Sequence, residues 1–459
     1  MTNINKKNNG FLKILNIKDL CFLNQNNNYL LNTFLFVFCF FAFLSLFNHI
    51  FMYVAVLIIT VASIILNTKD VVTIFVFTYP FEVLFNFNLN GNNINIFPYL
   101  NALIFLVIGI KYIIKVVKKQ EILDRGLIIS IVIFLTYLLI PINKINIVDS
   151  LQYFAVLGIV YLLLKNKKEL DIKQIINYSV LGLIVSVFFS VVLYFNNIYG
   201  SFYEFYYTDG ILKVQGLFVN PNYLMMFACF LSAYLKAEFV RHGKSTTLIQ
   251  WLFVFIIGYT TISRNFLFCE IAIFLFLLIS CYVKKNKFGL KNLLVIFVFS
   301  LAIMLILFDY SKTYYLRLKY FIKSTLSGEN STPIAEDTIA DPGRILIWKR
   351  YLKSYFDSIK SILFGYGISA PLLMIKTHNT YIYGFWLIGI VGMALLSFLM
   401  IKIMFFDNKN KNSSFWSVLI SFLVLSFFES NFLNIVFLIM FAILMACSGG
   451  TINEKTKNS

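Results

Sequence analysis

The sequence predicts an all-α polytopic membrane protein with about 12 to 14 transmembrane helices and one large, partly helical extracytoplasmic loop. Three observations lead to this class. Hydrophobic residues make up 59% of the 459 residues and charged residues only 13%, whereas charged residues form about a quarter of a typical soluble domain. Apolar runs long enough to cross a bilayer recur along the chain. Lysine and arginine gather between alternate runs, as they do in cytoplasmic loops.

Fourteen apolar runs are candidate spans, because a bilayer crossing needs about 20 mostly apolar residues. The three shortest runs, 126–141, 247–262 and 413–428, leave a count of twelve or thirteen open. The other runs lie at 30–47, 50–66, 71–87, 96–117, 148–164, 175–196, 222–240, 265–283, 290–308, 379–404 and 431–447.

The distribution of basic residues predicts the orientation of these spans. Lysine and arginine cluster in the N-terminal segment, in alternate loops such as Lys111–Arg125 and Lys236–Lys244, and at the C-terminus. This alternation puts both termini on the cytoplasmic side of the cytoplasmic membrane and favours an even number of spans. The same loops account for the net charge of +18, because basic loops face anionic lipid. Nucleic-acid binding is therefore disfavoured.

Five segments describe the predicted organisation. Residues 1–29 form a cytoplasmic tail, since they lack the short apolar core and cleavage site of a removable signal. Transmembrane helices 1–11 lie in residues 30–308, the large extracytoplasmic loop in 309–377, helices 12–14 in 378–447, and a second cytoplasmic tail in 448–459. The cysteines lack metal-ligand spacing, and we expect them to be packing residues rather than partners in disulfides. They are Cys21, Cys39, Cys229, Cys269, Cys281 and Cys447.

The large loop contains one segment with helical periodicity. The stretch RILIWKRYLKSYFDSIKSILFG, from Arg344 to Gly365, places apolar residues at helical spacing with lysines on the other side. This pattern predicts an amphipathic helix at the membrane surface that ends at Gly365. The preceding stretch SGENSTPIAEDTIADPG predicts a flexible segment. Loops of this length are usually functional or disordered.

Arginine is used sparingly and mostly on the predicted outer side. Lysine supplies most of the positive charge, and four of the six arginines, Arg264, Arg317, Arg344 and Arg350, fall on outer segments. Guanidinium offers paired donors that match phosphate oxygens, so an outer site for a phosphate-bearing ligand explains the bias. The alternative is chance in a small number of residues, and we prefer chance for Arg317 and Arg350.

Two charged residues lie at or inside apolar runs. Arg264 occupies the tight turn of GYTTISRNFLFCE, where a charge must reach the interface, pair or bind a ligand. We prefer a functional role for Arg264 over that of an interfacial anchor. Glu270, inside the following run, is costly unless it is paired. A structural ion pair is at least as good an interpretation of Glu270 as a catalytic role.

His378 ends the large loop where the helix from Asn379 begins. The positive end of a helix dipole disfavours imidazolium and attracts an anion. This setting predicts a neutral histidine that accepts a proton beside a phosphate site, as a general base does. A capping or interfacial histidine is an equally good interpretation of His378 taken alone.

Metal-assisted chemistry is less attractive for this sequence. No Asp-x-Asp occurs on the predicted outer side, and the large loop that His378 ends holds no second histidine. We expect neither a metal nor a cofactor. The loop carboxylates fit solvated surface charge, and no Ser/His/Asp motif indicates hydrolysis. These carboxylates are Glu329, Glu336, Asp337 and Asp341.

Four segments in order resemble the O-antigen ligase and polymerase superfamily. GLFVNPNYLMMFACFL (216–231) resembles its Gly-x-Phe-x-Asn-Pro-Asn start of a span, and TISRNFL (261–267) resembles its Ser-Arg element. GRILIWKRYL (343–352) resembles the Gly-Arg-x-x-x-Trp of its outer loop. LFGYG followed by THNTYIYGFWLIGIVG resembles its loop exit and next helix. The resemblance covers roughly residues 216–404.

The resemblance implies a glycosyltransferase that moves a glycan from an undecaprenyl diphosphate carrier to an acceptor on the outer face of the membrane, without a metal. It assigns binding of the diphosphate to Arg264 and Arg344, and deprotonation of the acceptor hydroxyl to His378. Inversion at the anomeric carbon follows from a single displacement. Many relatives have a glutamate where this chain has Leu387, which leaves acceptor contacts at that position in doubt. Candidate supporting residues are Asn222, Asn379, Tyr381 and Arg350.

Several functions remain open at the level of sequence. Within the superfamily we prefer a polymerase of lipid-linked repeat units over a ligase that transfers glycan to lipid A core, because the chain is long for a ligase. A lipid-linked oligosaccharide flippase or another transporter should carry several cations inside its spans and paired halves. A scaffold of an export complex leaves the arginine and histidine positions unexplained. The expected partners are membrane lipid, the lipid-linked donor and acceptor, a flippase and a chain-length regulator.

Overall fold

The computed structural model describes residues 27–48, 50–89, 92–119, 129, 132–133, 170–195, 206–208, 211–218, 220–327, 343–367, 379–405, 412–428 and 443. These residues are mostly helical, and five of their helices are long and apolar enough to cross a membrane. The predicted class of helical membrane protein agrees with this architecture. The predicted spans at 126–141, 148–164 and 431–447 lie almost entirely outside the described residues. The number of spans and their orientation therefore stay predictions.

The helices are numbered here in chain order. They are α1 (Asn27–Ser45), α2 (Ile50–Ile65), α3 (Thr68–Thr78), α4 (Phe97–Lys119), α5 (Ile172–Phe195), α6 (Pro221–His242), α7 (Ser245–Thr260), α8 (Arg264–Val283), α9 (Lys287–Ile306), α10 (Phe308–Ser327), α11 (Gly343–Tyr355), α12 (Ile359–Phe364), α13 (Thr380–Phe405) and α14 (Ser413–Phe428). Four short strands, which the all-α prediction did not include, form two antiparallel hairpins. They are β1 (Asn86–Leu89) with β2 (Asn92–Asn95), and β3 (Tyr206–Thr208) with β4 (Ile211–Lys213).

Helix α6 lies at the centre of the described bundle. In the most apolar 18-residue stretch of α6, 89% of the residues are buried, whereas the corresponding fraction is 33% in α8 and 28% in α9. Helices α5, α7, α8, α9 and α14 pack around it. Small buried side chains such as Ala228, Ser232 and Ala233 let these neighbours approach closely. The segment that leads into α6 is therefore attached to the best-packed part of the protein.

A buried ion pair joins α6 to α8. The ammonium of Lys236 lies 2.5 Å from a carboxylate oxygen of Glu270, and the two side chains are only 2% and 7% exposed. Ser232 Oγ donates a 2.5 Å hydrogen bond to the other carboxylate oxygen and accepts one of 3.0 Å from Trp251 Nε1. Glu270 therefore belongs to a structural ion pair. The assignment of Lys236 to a cytoplasmic loop is wrong, because α6 continues to His242.

The pair should contribute to stability mainly through the cost of breaking it. We expect Lys236→Met and Glu270→Met each to lower the free energy of unfolding by about 3–5 kcal/mol, because each leaves one buried charge uncompensated. The double variant should recover most of this loss, since apolar side chains replace both charges. Unfolding in detergent measures the difference.

A more exposed pair provides the control for this experiment. Arg241→Met removes the partner that lies 3.3 Å from Glu238 near the end of α6, where the two side chains are 33% and 17% exposed. Solvent screens these charges, so this change should cost less than either buried variant. Single Lys236 and Glu270 variants that behave like Arg241→Met would refute the argument.

The third predicted span, 71–87, is not a single helix. Helix α3 has 11 residues and ends at Thr78, after which Tyr79–Phe85 continue as a 3₁₀ segment. Pro80 lacks the N–H group that an α-helix uses. At about 1.5 Å per residue, α3 is too short to cross a hydrocarbon core of about 30 Å.

The 3₁₀ segment obtains its hydrogen bonds from α5 and from the segment before α6. Ser186 Oγ donates to the Pro80 carbonyl at 2.7 Å and accepts from Leu217 N at 2.8 Å, while Val83 N donates to the Leu217 carbonyl at 2.8 Å. Gly216 allows this approach with a φ of 59°, because a Cβ there would lie 2.9 Å from Ser186 Oγ. Irregular backbone is tolerated in an apolar bundle only when protein groups satisfy it in this way.

Lys111 lies inside the described bundle rather than in a loop. Helix α4 continues to Lys119, so the assignment of Lys111 to a cytoplasmic loop is wrong. Its ammonium donates to the carbonyl of Ser63 at 2.7 Å and to that of Leu66. These carbonyls lie at the C-terminal end of α2, where a cation is favourable.

The large predicted loop is more helical than expected. Helix α10 follows α9 after a break at Leu307. The single amphipathic helix predicted from Arg344 to Gly365 is wrong, because Ser358 starts a new helix through a capping box with Ser361. The stop at Gly365 is confirmed, and this glycine has a φ of 71°. The buried face of α11 packs on α13 instead of on a membrane surface.

Helix α13 is broken near its first third. Gly389 has φ 62° and ψ −177°, which interrupts the helical path. The two parts of α13 therefore have different directions, although its length and composition alone resemble those of one span.

Candidate functional site

The turn between α7 and α8 carries Arg264 and has a strained backbone. Ile262 in this turn has a φ of 53°, which a β-branched residue adopts rarely and at an energetic cost. Its side chain is fully buried, and Thr261 Oγ1 donates to the Gly258 carbonyl at 2.7 Å. Tertiary packing therefore fixes Arg264 as the first residue of α8.

Helix α10 packs on this turn and brings a second arginine to it. Arg317 Nη1 donates a 2.6 Å hydrogen bond to the carbonyl of Ile262, two residues before Arg264. Tyr314 Oη donates to the Tyr259 carbonyl at 2.9 Å. Burial raises the pKa of Tyr314 well above its usual range, so its hydroxyl stays a neutral donor. The sequence interpretation of Arg317 as a chance occurrence missed this contact.

We expect Arg317→Met to loosen the turn. A hydrogen bond from a charged donor contributes about 1.5–3 kcal/mol, so the amides of the Thr261–Arg264 peptide should exchange hydrogen at least about 10-fold faster. Arg350→Met, at an exposed position of α11, is the matched control and should leave this exchange unchanged. Equal exchange rates in both variants would show that Arg317 does not support the turn.

The Gly-x-Phe-x-Asn-Pro-Asn segment joins the turn to the start of α6. Val214 N donates to the Thr260 carbonyl at 3.1 Å. Asn220 then caps α6, since its side chain accepts a 2.8 Å hydrogen bond from Asn222 N, and Pro221 occupies the first turn. The structure thus gives the side chain of Asn220 a role in starting α6, whereas Asn222 takes part only through its backbone N–H.

The N-terminus of α8 adds to the positive character of this region. Ser263 precedes the helix without a side-chain cap hydrogen bond in the part of the chain that the structure describes. The positive end of the helix dipole and its first N–H groups favour an anion. Arg264 is half-buried as the first residue of this helix.

Three helices that carry or adjoin predicted site residues meet at the last two residues of α14, Phe427 and Phe428, here called the α14 end. Helix α8 reaches it through Phe268, whose ring stacks on Phe428 with 5.1 Å between centroids. Phe268 lies one turn after Arg264 on the same helix. The N-terminal turn of α8 is therefore next to the α14 end.

Helices α11 and α13 reach the α14 end from other directions. The ring of Trp348 packs edge-to-face on Phe427 with 5.9 Å between centroids, one turn after Arg344 in α11. Asn379 Nδ2 donates a 2.9 Å hydrogen bond to the Phe427 carbonyl, and Asn379 directly follows His378. The first two turns of α8, the first two turns of α11 and the N-cap residue of α13 therefore converge on the α14 end.

The candidate supporting residues mostly hold helices together. Asn379 is 2% exposed and its Oδ1 accepts from Ile382 N at 3.0 Å, which caps α13. Tyr381 Oη donates to the Leu423 carbonyl of α14 at 3.2 Å. Arg350 is exposed on α11. Asn379 and Tyr381 thus attach the start of α13 to α14.

The three principal predicted residues differ in how far they are described. Arg264 is described with its side chain. Arg344 has a defined position in the first turn of α11, while its side chain lies outside the described residues. His378 lies outside the described residues. The joint action of these three residues stays a prediction.

The described residues offer little for metal or disulfide chemistry. Among them, no three His, Cys, Asp or Glu side chains come together as a metal site requires. The cysteines within the described ranges, Cys39, Cys229, Cys269 and Cys281, are free thiols. The groups that the structure shows at the α14 end are the aromatic rings of Phe268, Trp348, Phe427 and Phe428 and the amide of Asn379.

No protein-family model matches the chain, and no curated protein or solved structure is significantly similar to it. The described architecture defines the chain as a mostly helical membrane protein. The resemblance to the O-antigen ligase and polymerase superfamily rests on the four sequence segments alone.

Proposed function

We propose that this chain is a membrane glycosyltransferase that polymerises undecaprenyl-diphosphate-linked repeat units into capsular polysaccharide, O-antigen or exopolysaccharide, on the outer face of the cytoplasmic membrane. The observation that carries the proposal is the meeting of α8, α11 and α13 at the α14 end. These helices hold or adjoin Arg264, Arg344 and His378. Glycosyl transfer needs phosphate-binding and proton-accepting groups within reach of one substrate, and this convergence supports such an arrangement.

The proposed donor site binds the carrier's diphosphate through Arg264 and Arg344. Guanidinium groups contact phosphate oxygens two at a time, and the N-terminus of α8 adds a favourable dipole. Arg317 supports this site indirectly, because it holds the Ile262 carbonyl two residues from Arg264.

The proposed reaction is a single displacement. The acceptor hydroxyl attacks the anomeric carbon of the donor while His378 accepts the hydroxyl proton. The bond between that carbon and the diphosphate oxygen breaks, and undecaprenyl diphosphate leaves with the bonding electron pair. The two arginines stabilise the charge of this leaving group. Inversion at the anomeric carbon follows, and we propose neither a metal nor a cofactor for the step.

A transporter of lipid-linked glycans is the second candidate, and the break in α13 is the observation that favours it. Broken helices often form transporter sites, where free carbonyls bind ions or substrate. Here the freed carbonyls of Trp386 and Leu387 accept hydrogen bonds from Tyr366 N at 2.9 Å and Gly367 N at 2.7 Å. Because the protein's own backbone occupies this break, we prefer the transferase.

Reconstitution tests the proposed function directly. The purified chain in proteoliposomes receives a synthetic undecaprenyl diphosphate repeat unit, and products are separated on a gel. A polymerase produces a ladder, whereas a flippase moves the intact substrate across the bilayer without new bonds. Addition of lipid A core tests the ligase, which would yield one product on that acceptor. The absence of any new glycosidic bond with both acceptors would refute the transferase.

A further inference from the structure

The break in α13 folds its two parts against each other. In a straight helix, Gly384 and Met393 would be separated by about 13 Å along the axis. Instead, a Cβ placed on Gly384 would lie 2.6 Å from the Met393 sulfur. The short first part, which begins just after His378, is therefore a separate helical unit whose direction is set at Gly389.

A second glycine contacts this break through the backbone. A Cβ on Gly389 would lie 2.4 Å from the Leu363 carbonyl oxygen, and a Cβ on Gly365 would lie 2.5 Å from the Leu387 carbonyl. Both glycines have positive φ values, 62° and 71°. Main chain thus touches main chain at a distance that any larger residue would prevent.

Two hydrogen bonds extend the contact. Tyr366 N donates to the Trp386 carbonyl at 2.9 Å, and Gly367 N donates to the Leu387 carbonyl at 2.7 Å. We call the segment Gly365–Gly367 and its partner segment Trp386–Gly389 the glycine clamp. A continuous helix would use these carbonyls itself, so the break at Gly389 is what makes the clamp possible.

The clamp also fixes α11 on the first part of α13. The indole of Trp386 stacks on Tyr366 at 5.3 Å and packs edge-on against Tyr351 of α11 at 5.0 Å. Trp386 Nε1 donates to Ser354 Oγ at 3.3 Å, and Tyr366 Oη donates to the Ser354 carbonyl at 2.8 Å. Helix α11 is thus held at its C-terminal half, while Trp348 in its second turn, one turn after Arg344, reaches the α14 end.

We propose that Gly365 and Gly389 are positioning residues, whose backbone clamp sets the location of α11, the helix that carries Arg344, relative to Asn379 at the start of α13. This inference rests on the proposed transferase function. Neither glycine contacts the substrate in this proposal. They act through the backbone contact itself, because that contact keeps α11 at a fixed position on the first part of α13.

Small displacements matter at such a junction. A misplacement of about 1 Å between reacting groups lowers a rate by about 10²-fold. A methyl group on Gly389 must displace the Leu363 backbone by a comparable distance, because 2.4 Å is far below a normal contact distance. Gly389→Ala should therefore shift α11 relative to the start of α13.

The test uses the full-length protein in nanodiscs and compares Gly389→Ala and Gly365→Ala with Gly384→Ala. Gly384 lies in the same helix, but its added methyl meets only the flexible end of Met393. Hydrogen exchange of the backbone amides of Tyr366 and Gly367 measures whether the clamp hydrogen bonds are intact. Single-turnover rates with saturating protein report positioning, since they do not depend on the fraction of active protein. Titration with the lipid diphosphate donor counts intact sites.

We expect exchange at Tyr366 and Gly367 to rise at least 10-fold in Gly389→Ala and Gly365→Ala, with a single-turnover rate about 10²-fold lower and unchanged donor stoichiometry. Gly384→Ala should resemble wild type. If Gly389→Ala does not fold, Trp386→Phe removes the bond to Ser354 Oγ and part of the ring packing on Tyr351 and Tyr366, and it should give a smaller change in the same direction.

Two results would overturn the inference. Unchanged exchange in the folded variants would show that there is no clamp, and normal turnover with fast exchange would show that the clamp does not position the site. A wild-type protein that forms no glycosidic bond would refute the proposed function and the positioning role together. The exchange data would still decide whether the clamp exists, so the two failures are distinguishable.

Discussion

His378→Ala is expected to abolish polymer while the amount of protein and the supply of single repeat units stay normal. Removal of a general base typically costs about 10²- to 10⁴-fold in rate, which is enough to eliminate a ladder on a gel. The residue directly precedes Asn379, which caps α13, and the positive end of a helix disfavours imidazolium, so we expect a neutral side chain. A neutral imidazole is able to accept the acceptor proton at ordinary pH.

The matched control for this change is His242→Ala. His242 lies at the other end of the bundle, near the C-terminus of α6, where it contacts Arg241 and lies 3.5 Å from Glu238. This variant should make polymer of normal length. Polysaccharide of full length made by the His378→Ala protein would refute the role of His378 as general base, whatever the result for His242→Ala.

Arg264→Lys and Arg344→Lys should each reduce turnover by about 10²-fold or more. Lysine keeps the charge but loses the planar pair of donors that binds two phosphate oxygens at once. Loss of one preorganised donor to a developing charge typically costs about 10²- to 10³-fold. Initial rates of polymer formation at saturating donor measure the effect for each variant separately.

Arg241→Lys is the control for the arginine variants. Arg241 pairs with Glu238 at the opposite end of α6 from the Arg264 turn, so its replacement should leave polymer formation near normal. Normal rates in both Arg264→Lys and Arg344→Lys would rule out the diphosphate role. A loss in only one of them would restrict that role to a single arginine.

Local composition predicted much of the architecture. Apolar runs at 222–240, 265–283 and 290–308 correspond to α6, α8 and α9, because uninterrupted apolar sequence of that length favours a membrane helix. The stop at Gly365 was equally predictable, since a glycine commonly ends a helix with a positive φ. These features depend on a few neighbouring residues each.

Features that depend on distant residues were not predictable in the same way. Lys236 resembles a loop lysine because it begins a basic cluster, and only its contact with Glu270 shows that it is buried. Gly389 resembles any glycine in an apolar run until the approach of Leu363 explains its φ. Arg317 resembles a surface arginine until α10 is folded onto the turn at Ile262.

The candidate site was predictable only as a set of residue types. Sequence placed Arg264 at a tight turn, which the structure confirms, but it contained no signal for the α14 end. The contacts of Phe427 and Phe428 arise from helices far apart in the chain. Aromatic residues are frequent in every span of this sequence, so their positions alone do not mark a junction.

The buried ion pair has a consequence for how this chain enters the bilayer. Lys236 is synthesised 34 residues before Glu270, so α6 reaches the insertion machinery before its counter-charge exists. A lysine inside a membrane helix costs free energy on insertion, up to about 2.5–3.5 kcal/mol at the helix centre, and Lys236 lies in the second half of α6. We expect α6 to stay at the translocon until α8 arrives, and the two helices then to partition into lipid together.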